Sequence, residues 1–236
     1  MADRGNVEVT WIGHATFRIR TAAGKIVLVD PWLQQNPACP EAQKKVAKLD
    51  AMLVTHGHFD HIGDAVALAT EHQAQTVCVF ETSVWLESKG VKTCVGMNKG
   101  GTASVAGLKA TMVHADHSCG ILDDGKIVYG GDPCGYVIEM ENGYRIYHAG
   151  DTNVFGDMKL IGELYRPDLA IIPIGGHYTM GPREAALACR MLGAREVIPM
   201  HFGTFPILAG TPAELRELTR DIPGFVVREL KPGASL

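Results

Sequence analysis

Residues 51–64 read AMLVTHGHFDHIGD, and this stretch decides how the rest of the chain is interpreted. Residues 51–54 are apolar, which is typical of a buried strand. The strand runs directly into His56-Gly57-His58-Phe59-Asp60-His61, and a helical pattern follows. Histidine and aspartate at this density form a set of metal ligands, so the sequence predicts a metal site where the strand ends.

The spacing within this motif separates its side chains into two pairs. His56 and His58 are two residues apart, so their rings can project to one side of an extended loop. Asp60 and His61 lie near the start of the helix and can turn towards a second point. Imidazole and carboxylate suit Zn, Mn, Fe or Ni, and the lack of a cysteine ligand argues against a closed structural zinc site. A solvated histidine-rich loop is the alternative interpretation.

The motif has the form H-x-H-x-D-H and resembles the signature of the metallo-β-lactamase superfamily. The resemblance covers nearly the whole chain and is nearest to a small family of metal-dependent hydrolases related to ascorbate-6-phosphate lactonase and N-acyl-phosphatidylethanolamine phospholipase D. It implies an α/β fold, a four-layer αββα sandwich with two mixed sheets packed face to face. We treat residues 1–236 as one domain with two similar halves, about 1–118 and 119–236, because ligands are expected from both.

Composition limits the classes of protein that the chain can belong to. A chain of 236 residues is long enough for a substantial core. A net charge of −4 gives no electrostatic basis for binding nucleic acid. No apolar run is long enough for a membrane span, and no secretion signal is visible. Six scattered cysteines indicate reduced thiols in a cytoplasmic protein. A homo-oligomer stays open.

Short strands alternate with helices along the chain, which is the α/β pattern. Residues 41–49 are expected to form a short polar helix, and the glycine-rich residues 96–107 are interpreted as turns. The expected strands cover 7–12, 15–20, 25–30, 51–54, 76–80, 108–114, 126–131, 135–139, 143–148, 169–174, 196–200 and 225–230. The expected helices cover 62–72, 81–89, 158–165 and 182–192, and a further helix begins at Thr211-Pro212.

Two histidines compete after the strand at 108–114. The family pattern is an apolar strand followed by A-x-H-S, which selects His117 as the ligand and leaves His114 as a bystander. Cys119 is open to two interpretations, as a ligand or reactive thiol or as a small residue in the wall of the site. We prefer the second.

The later motifs supply a carboxylate and a last histidine. Asp151, in Tyr147-His148-Ala149-Gly150-Asp151, is either a helix N-cap or a ligand on the residues alone. In the family that the chain resembles, this carboxylate bridges two metal ions. His201, in Pro199-Met200-His201-Phe202-Gly203, matches the last ligand motif of that family.

Three further residues lie near the expected site. His14 is either a structural hydrogen-bonding residue or a group that approaches the site. Asp30, before a proline, is implied by the resemblance to support the metal centre without being a ligand. Paired glycines before His177 form either a tight turn or an anion-binding loop. The resemblance makes His177 and His14 candidate acids, alongside the catalytic Asp60.

The resemblance thus implies two sets of ligands and a bridging carboxylate: His56, His58 and His117; Asp60, His61 and His201; and Asp151. It implies two divalent metal ions, with Zn preferred and Mn, Fe or Ni open. Such a centre activates water as hydroxide, which attacks a carbonyl carbon or a phosphorus of a small-molecule substrate. The expected reaction is hydrolysis of an ester-type bond, a phosphoester or a lactone. The alternatives are a nuclease, a di-metal redox protein and a non-catalytic metal-binding module.

Overall fold

The computed structural model describes residues 2–236, which form two large sheets, a separate hairpin and six helices. The strands are β1 (Glu8–Gly13), β2 (Thr16–Arg20), β3 (Ile26–Val29), β4 (Ala51–Leu53), β5 (Gln75–Val79), β6 (Cys94–Met97), β7 (Thr102–Val105), β8 (Leu108–His114), β9 (Gly120–Asp123), β10 (Lys126–Tyr129), β11 (Cys134–Glu139), β12 (Arg145–His148), β13 (Leu169–Pro173), β14 (Glu196–Met200) and β15 (Val226–Val227). The helices are α1 (Phe59–Ile62), α2 (Ala65–His72), α3 (Phe80–Ser88), α4 (Met158–Tyr165), α5 (Pro182–Leu192) and α6 (Pro212–Leu218).

Both large sheets are mixed. The first has the order β1-β2-β3-β4-β5-β6, and its strands run parallel from β3 onward. The second has the order β15-β14-β13-β12-β11-β8-β7 and is parallel from β12 to β15. Strands β9 and β10 pair only with each other among the described residues. The carboxyl ends of the parallel strands of each sheet lie at one edge, and the predicted ligand loops leave from there.

Alternating side chains on the strands reveal four layers. In β3, Val27 and Val29 belong to the core between the sheets, whereas Leu28 packs with the residues of α2 and α3. In β13, Ile171 faces the central core and Ala170 packs with α4 and α5. Since successive residues of a strand point to opposite faces, each sheet has one face on its partner and one face on helices. The predicted αββα sandwich is confirmed.

Some local predictions differ from the structure. Residues 41–49 contain only a single 3-10 turn, Glu41–Gln43, with no buried residue, so tertiary packing does not stabilise a longer helix there. Residues 96–107 carry much of β6 and all of β7, and only 98–101 form the turn between them. Strand β9 was not expected at all.

The chain passes from the first sheet to the second between Met97 and Thr102, before the boundary near residue 118 that the sequence suggested. The interpretation of the chain as one domain stays a prediction, supported by the central core, which takes side chains from both sheets. Within residues 2–236, no helix has both the length and the apolar character needed to cross a membrane.

Candidate metal centre

Three histidines from two loops converge on one point. His56 and His58 follow β4, and His117 follows β8. His56 Nε2 lies 3.0 Å from His58 Nδ1, and His117 Nε2 lies 3.3 Å from the same Nδ1. One ring nitrogen of each thus lies within 4.8 Å of the others. We call these three residues the imidazole group.

A second set of candidate ligands converges on a neighbouring point and contains Asp60, His61 and His201. We call this set of three residues the carboxylate group. Nε2 of His61 lies 3.9 Å from Asp60 Oδ2, and Nε2 of His201 lies 3.8 Å from the same oxygen. His61 comes from α1 after β4, whereas His201 follows β14 on the other sheet. The facing edges of the two sheets therefore both contribute to this group.

Asp151 lies between the two groups. Its Oδ2 is 3.0 Å from His201 Nε2, 3.3 Å from His61 Nε2 and 3.8 Å from His117 Nε2. Gly150 positions it: φ is +63°, and a Cβ there would lie 2.6 Å from the Cys134 carbonyl oxygen. Only glycine fits that turn, so β12 can end with the Asp151 carboxylate aimed at both groups.

Asp30, after β3, orients one histidine of each group. His61 Nδ1 donates to its Oδ2 over 2.8 Å, and the Thr55 hydroxyl donates to the same oxygen over 2.8 Å. Because that hydroxyl donates to Asp30, it accepts from His56 Nδ1 at 3.0 Å. The proton on Nδ1 is thereby held in both rings, and the Nε2 atoms of His56 and His61 are directed to the centre, where a metal ion would bind them.

His14 supports Asp60 from behind. It is fully buried, and its Nε2 donates to Asp60 Oδ2 over 2.9 Å, while Nδ1 lies 2.9 Å from the Thr204 hydroxyl. Burial lowers the pKa of His14 to about 4, so the ring is neutral and Nδ1 accepts from Thr204. Both ring nitrogens are occupied, and His14 contacts the site through Asp60.

The two groups differ in their electrostatics. In the imidazole group, burial lowers the pKa of all three histidines, and neighbouring histidines add to the effect. In the carboxylate group, burial opposes a charged His201, but the Asp151 carboxylate outweighs it and raises the pKa to about 9. The pKa of His61 is raised well above its ordinary value for the same reason. Asp151 has a strongly lowered pKa, because the charges of His201 and His61 overcome its burial.

The donor set fits divalent ions. A tetrahedral ion with nitrogen and oxygen ligands at about 2.0–2.1 Å separates neighbouring ligand atoms by roughly 3.3 Å, close to the 3.0 and 3.3 Å within the imidazole group. In the carboxylate group, His61 and His201 lie at a similar 3.3 and 3.0 Å from Asp151 Oδ2 but at 3.9 and 3.8 Å from Asp60 Oδ2. His61 Nε2 and Asp151 Oδ1 are buried and lack a hydrogen-bond partner among residues 2–236. Unpaired buried polar atoms are costly, and a bound cation would satisfy both.

The backbone is strained around this centre. His14, Asp30 and His201 all have left-handed φ angles, of +57°, +50° and +54°. Such angles are uncommon for residues other than glycine. Strain of this kind is concentrated at functional sites, where the surrounding structure must hold it in place.

His177 is not brought into the cluster. Its side chain is exposed, and its ring lies edge-on against Tyr178 with centroids 4.5 Å apart. Gly176 and His177 are both left-handed, with φ of +73° and +58°, and this double turn places Tyr178 at the site in place of His177. Its role as an acid stays a prediction that the geometry does not support.

The structure also separates the neighbouring candidates. His114 is exposed and lies against Phe155, away from the cluster that holds His117. The Cys119 thiol accepts from the Gly57 N–H at 3.3 Å and donates to the Gly130 carbonyl at 3.2 Å. Burial raises its pKa. Cys119 is therefore a structural thiol that fixes the loop between His56 and His58.

Comparison with known proteins places the chain in a family. A sequence model described as the beta-lactamase superfamily domain matches residues 25–202, more than half of the chain. The chain belongs to the beta-lactamase superfamily. This superfamily member is 54% identical over 231 residues to a UPF0173 metal-dependent hydrolase of Koribacter versatilis, with 98% of each chain covered. The resemblance stated from the sequence is confirmed, and the protein is a metal-dependent hydrolase.

Solved structures agree with the fold of this hydrolase. A metallo hydrolase of the archaeon Ignicoccus hospitalis, Igni18, superposes with a TM-score of 0.85 at 36% identity, covering 98% of this chain and 97% of that chain. A metal-dependent hydrolase of Parabacteroides distasonis superposes with a TM-score of 0.72 at 25% identity, covering 95% and 93%.

The metal-dependent hydrolase has a cavity of about 600 Å³ above the two groups. Beside the candidate ligands, its lining includes apolar side chains that the sequence analysis did not assign to the site: Phe59, Leu122, Ile127, Tyr178, Phe205 and Ile207. The sequence contains one feature that could have identified the hairpin carrying Leu122 and Ile127. Asp124-Gly125 is a two-residue hairpin turn flanked by apolar residues, and both have positive φ, as a type I′ turn requires.

Proposed function

We propose that the chain hydrolyses an ester-type bond, a phosphoester or a lactone, of a small molecule at a binuclear metal site. The observation that carries this proposal is the position of Asp151. One of its oxygens lies within 4 Å of histidines from both groups, and the other is buried without a hydrogen-bond partner in the described chain. A carboxylate with a free oxygen between two ligand groups is suited to bridge two cations.

The imidazole group would hold one ion and the carboxylate group the other. Bound ions would supply Lewis acidity and lower the pKa of water from about 15.7 towards 7, so that hydroxide forms near neutral pH. We favour zinc, since the set is rich in imidazole and the spacing within the imidazole group fits tetrahedral coordination. Mn, Fe and Ni accept the same donors.

The surrounding residues hold these ligands in place. Asp30 fixes the tautomers of His56 and His61 through the contacts described above. We infer that His14 is a positioning residue: its Nε2–H directs Asp60, and its buried ring with two occupied nitrogens has no contact available for a substrate. Tyr178 lines the cavity and His177 does not, so Tyr178 is the residue of this turn that can contact a substrate.

The cysteines support a cytoplasmic location as a further part of the proposal. All six are free thiols, and five of them are buried. Reduced cysteines are the normal state in a reducing compartment. Neither the location nor the ester specificity follows from the family alone.

The test is a panel of chromogenic substrates assayed with the metal-free protein and after addition of Zn²⁺ or Mn²⁺. The panel contains a phosphomonoester, a phosphodiester, a carboxylic ester and a lactone. We expect turnover of at least one ester that is lost on chelation and restored by metal. Turnover of no ester in the presence of either ion would overturn the proposal.

A further inference from the structure

Apolar side chains are concentrated around the mouth of the metal cavity. Large apolar residues that are exposed singly need no explanation, but a contiguous set of them marks a binding site. Five exposed apolar side chains line this one cavity, all at least 47% exposed: Phe59, Leu122, Ile127, Tyr178 and Ile207. Ile127 is the most exposed of them, at 74%.

One side of this mouth is an aromatic wall fixed from behind. Trp32 is buried, and Phe59 meets it edge-on with ring centroids 5.7 Å apart. Phe205 lies 6.2 Å from the same indole ring and 5.8 Å from the ring of His14. The wall therefore rests on the groups that support the candidate ligands, and it is formed before any substrate binds.

The opposite side is the β9–β10 hairpin. Leu122 and Ile127 are cross-strand partners, so their side chains stand together on one face. Gly120 lies on the same face, and a Cβ there would be 2.9 Å from Ile127 Cγ2. Because Gly120 has no side chain, the side chain of Ile127 can pack over it and line the cavity.

The hairpin is anchored at its base and near its tip. Ile121 is buried, and a Cβ on Gly57 would lie 2.3 Å from its Cγ1, so the hairpin packs directly on the loop between two candidate ligands. Near the tip, Asp123 accepts from Nε1 of Trp85 on α3 at 2.9 Å and from Nζ of Lys89, the residue after α3, at 2.7 Å. These contacts hold Leu122 and Ile127 in place over the centre.

The charge of the lining is as informative as its apolar character. Within residues 2–236, no lysine or arginine lines the cavity, and every histidine and aspartate in its lining is a candidate metal ligand. A phosphomonoester carries a charge of about −1.5 to −2, and proteins that transfer phosphoryl groups stabilise that charge with Arg, Lys or metal ions. No such Arg or Lys is present in the described lining.

We infer that the substrate is an uncharged carboxylic ester, lactones included, whose acyl chain is apolar and lies between the aromatic wall and the β9–β10 hairpin. This rests on the proposed function and selects one of its two bond types. The acyl chain contacts Leu122, Ile127 and Phe205, and the carbonyl lies over the two ligand groups. A phosphoester would place its charge in a mouth that offers no cation from the protein.

The first measurement is binding, because it does not depend on turnover. The zinc-loaded protein is titrated calorimetrically with acetate, butanoate and hexanoate, the acid products of such esters, and with inorganic phosphate. Each buried methylene strengthens binding roughly fourfold, so over the four added methylenes we expect hexanoate to bind at least about tenfold more tightly than acetate. Equal affinity along the series, or phosphate binding more tightly than hexanoate, would overturn the inference.

Ile127→Ser should reduce the hexanoate-to-acetate affinity ratio at least about threefold, and Leu122→Ser should do the same. The control is Leu164→Ser on α4, because Leu164 is 71% exposed and does not line the cavity. Both hairpin positions are exposed, so the variants should fold. The assigned position of the acyl chain would be contradicted if the hexanoate-to-acetate ratio fell equally in the control variant, or if it fell in none of the three variants.

Hydrolysis distinguishes this inference from the proposed function. We expect kcat/KM for p-nitrophenyl hexanoate to exceed that for the acetate by about tenfold, with bis-p-nitrophenyl phosphate slower than both. Faster metal-dependent cleavage of the phosphodiester would overturn the inference and leave the binuclear hydrolase standing. Chain-length-dependent binding without turnover of any ester would uphold the apolar subsite and overturn the proposed function.

Discussion

The imidazole group and the carboxylate group flank the same aspartate but are supported in different ways. His56 and His58 contact the hydroxyls of Thr55 and Ser118, which are neutral partners. His61 instead donates to the buried carboxylate of Asp30, and Asp60 accepts from the buried His14. The ring of His14 also packs 3.9 Å from the ring of His201.

This difference shows that the ligands at one point of the centre have buried, partly charged partners, whereas those at the other point contact neutral hydroxyls. Carboxylate support raises the basicity of a ligating histidine and fixes its orientation. Both groups contribute to the cavity lining, but His58 and His117 of the imidazole group are half-buried, whereas His61 and His201 are buried. An ion at the carboxylate group should therefore dissociate more slowly than an ion at the imidazole group.

The largest expected effect comes from removing the residue that the groups share. Asp151→Ala should lose metal at both points, with activity falling at least about a thousandfold, because several kcal/mol of charge stabilisation are lost. Metal content is measured by inductively coupled plasma mass spectrometry. Asp132→Ala, at a largely exposed carboxylate that pairs with Lys99, is the control and should retain wild-type metal content. Full metal occupancy in Asp151→Ala would show that Asp151 does not bridge the two ions.

Single-ligand variants should separate the groups. His117→Ala should retain one ion at the carboxylate group, and His201→Ala should retain one at the imidazole group. Because His61 and His201 are buried and have carboxylate or buried imidazole neighbours, the ion of the carboxylate group should transfer to a chelator at least about tenfold more slowly. Stopped-flow transfer to a chromogenic chelator measures both rates. Equal rates of metal transfer in the two variants would show that the contacts of Asp30 and His14 do not slow metal release.

Asp30→Asn should weaken metal binding without removing a ligand. The amide keeps the shape of Asp30 but loses the charge that orients His61 and, through Thr55, His56. Loss of such a partner typically costs about 10–100-fold in metal affinity, which competition with a chelator of known affinity would show. An unchanged affinity would mean that packing alone orients the histidines.

The smallest effect is expected at His177. Its exposed ring lies outside the cavity lining, so His177→Ala should change kcat/KM by less than about threefold, within the range of an ordinary surface substitution. Tyr178→Ala, at the neighbouring position that does line the cavity, is the paired comparison and should have the larger effect. A large fall in kcat with His177→Ala alone would restore the candidate acid that the sequence suggested.

The sequence was most informative where a rigid strand delivers a short motif. Ala51 to Leu53 form a buried strand whose end has few conformations available, so the positions of His56 and His61 follow closely from their spacing. Asp151 and His201 also come directly after buried strands. The fold class could be predicted for the same reason, since alternating strands and helices with apolar strands leave few architectures.

The rest depended on contacts that no local pattern records. The segment at 41–49 has a helical composition, but it forms only a 3-10 turn, and no residue of that turn is buried. Helix propensity without packing against the core is therefore not enough to form a helix here. The direction of His177 is set by two consecutive left-handed residues, and the sequence shows only that a turn is present. The apolar mouth combines residues from distant segments, so Leu122 and Phe205 could be related only by the fold.

Native mass spectrometry of the zinc-loaded chain shows whether Asp151 joins two ion sites. We expect a mass increase of two zinc ions per chain, with one ion lost to mild chelation before the other. A single ion at saturating zinc, or two ions still bound in Asp151→Ala, would contradict this role of Asp151.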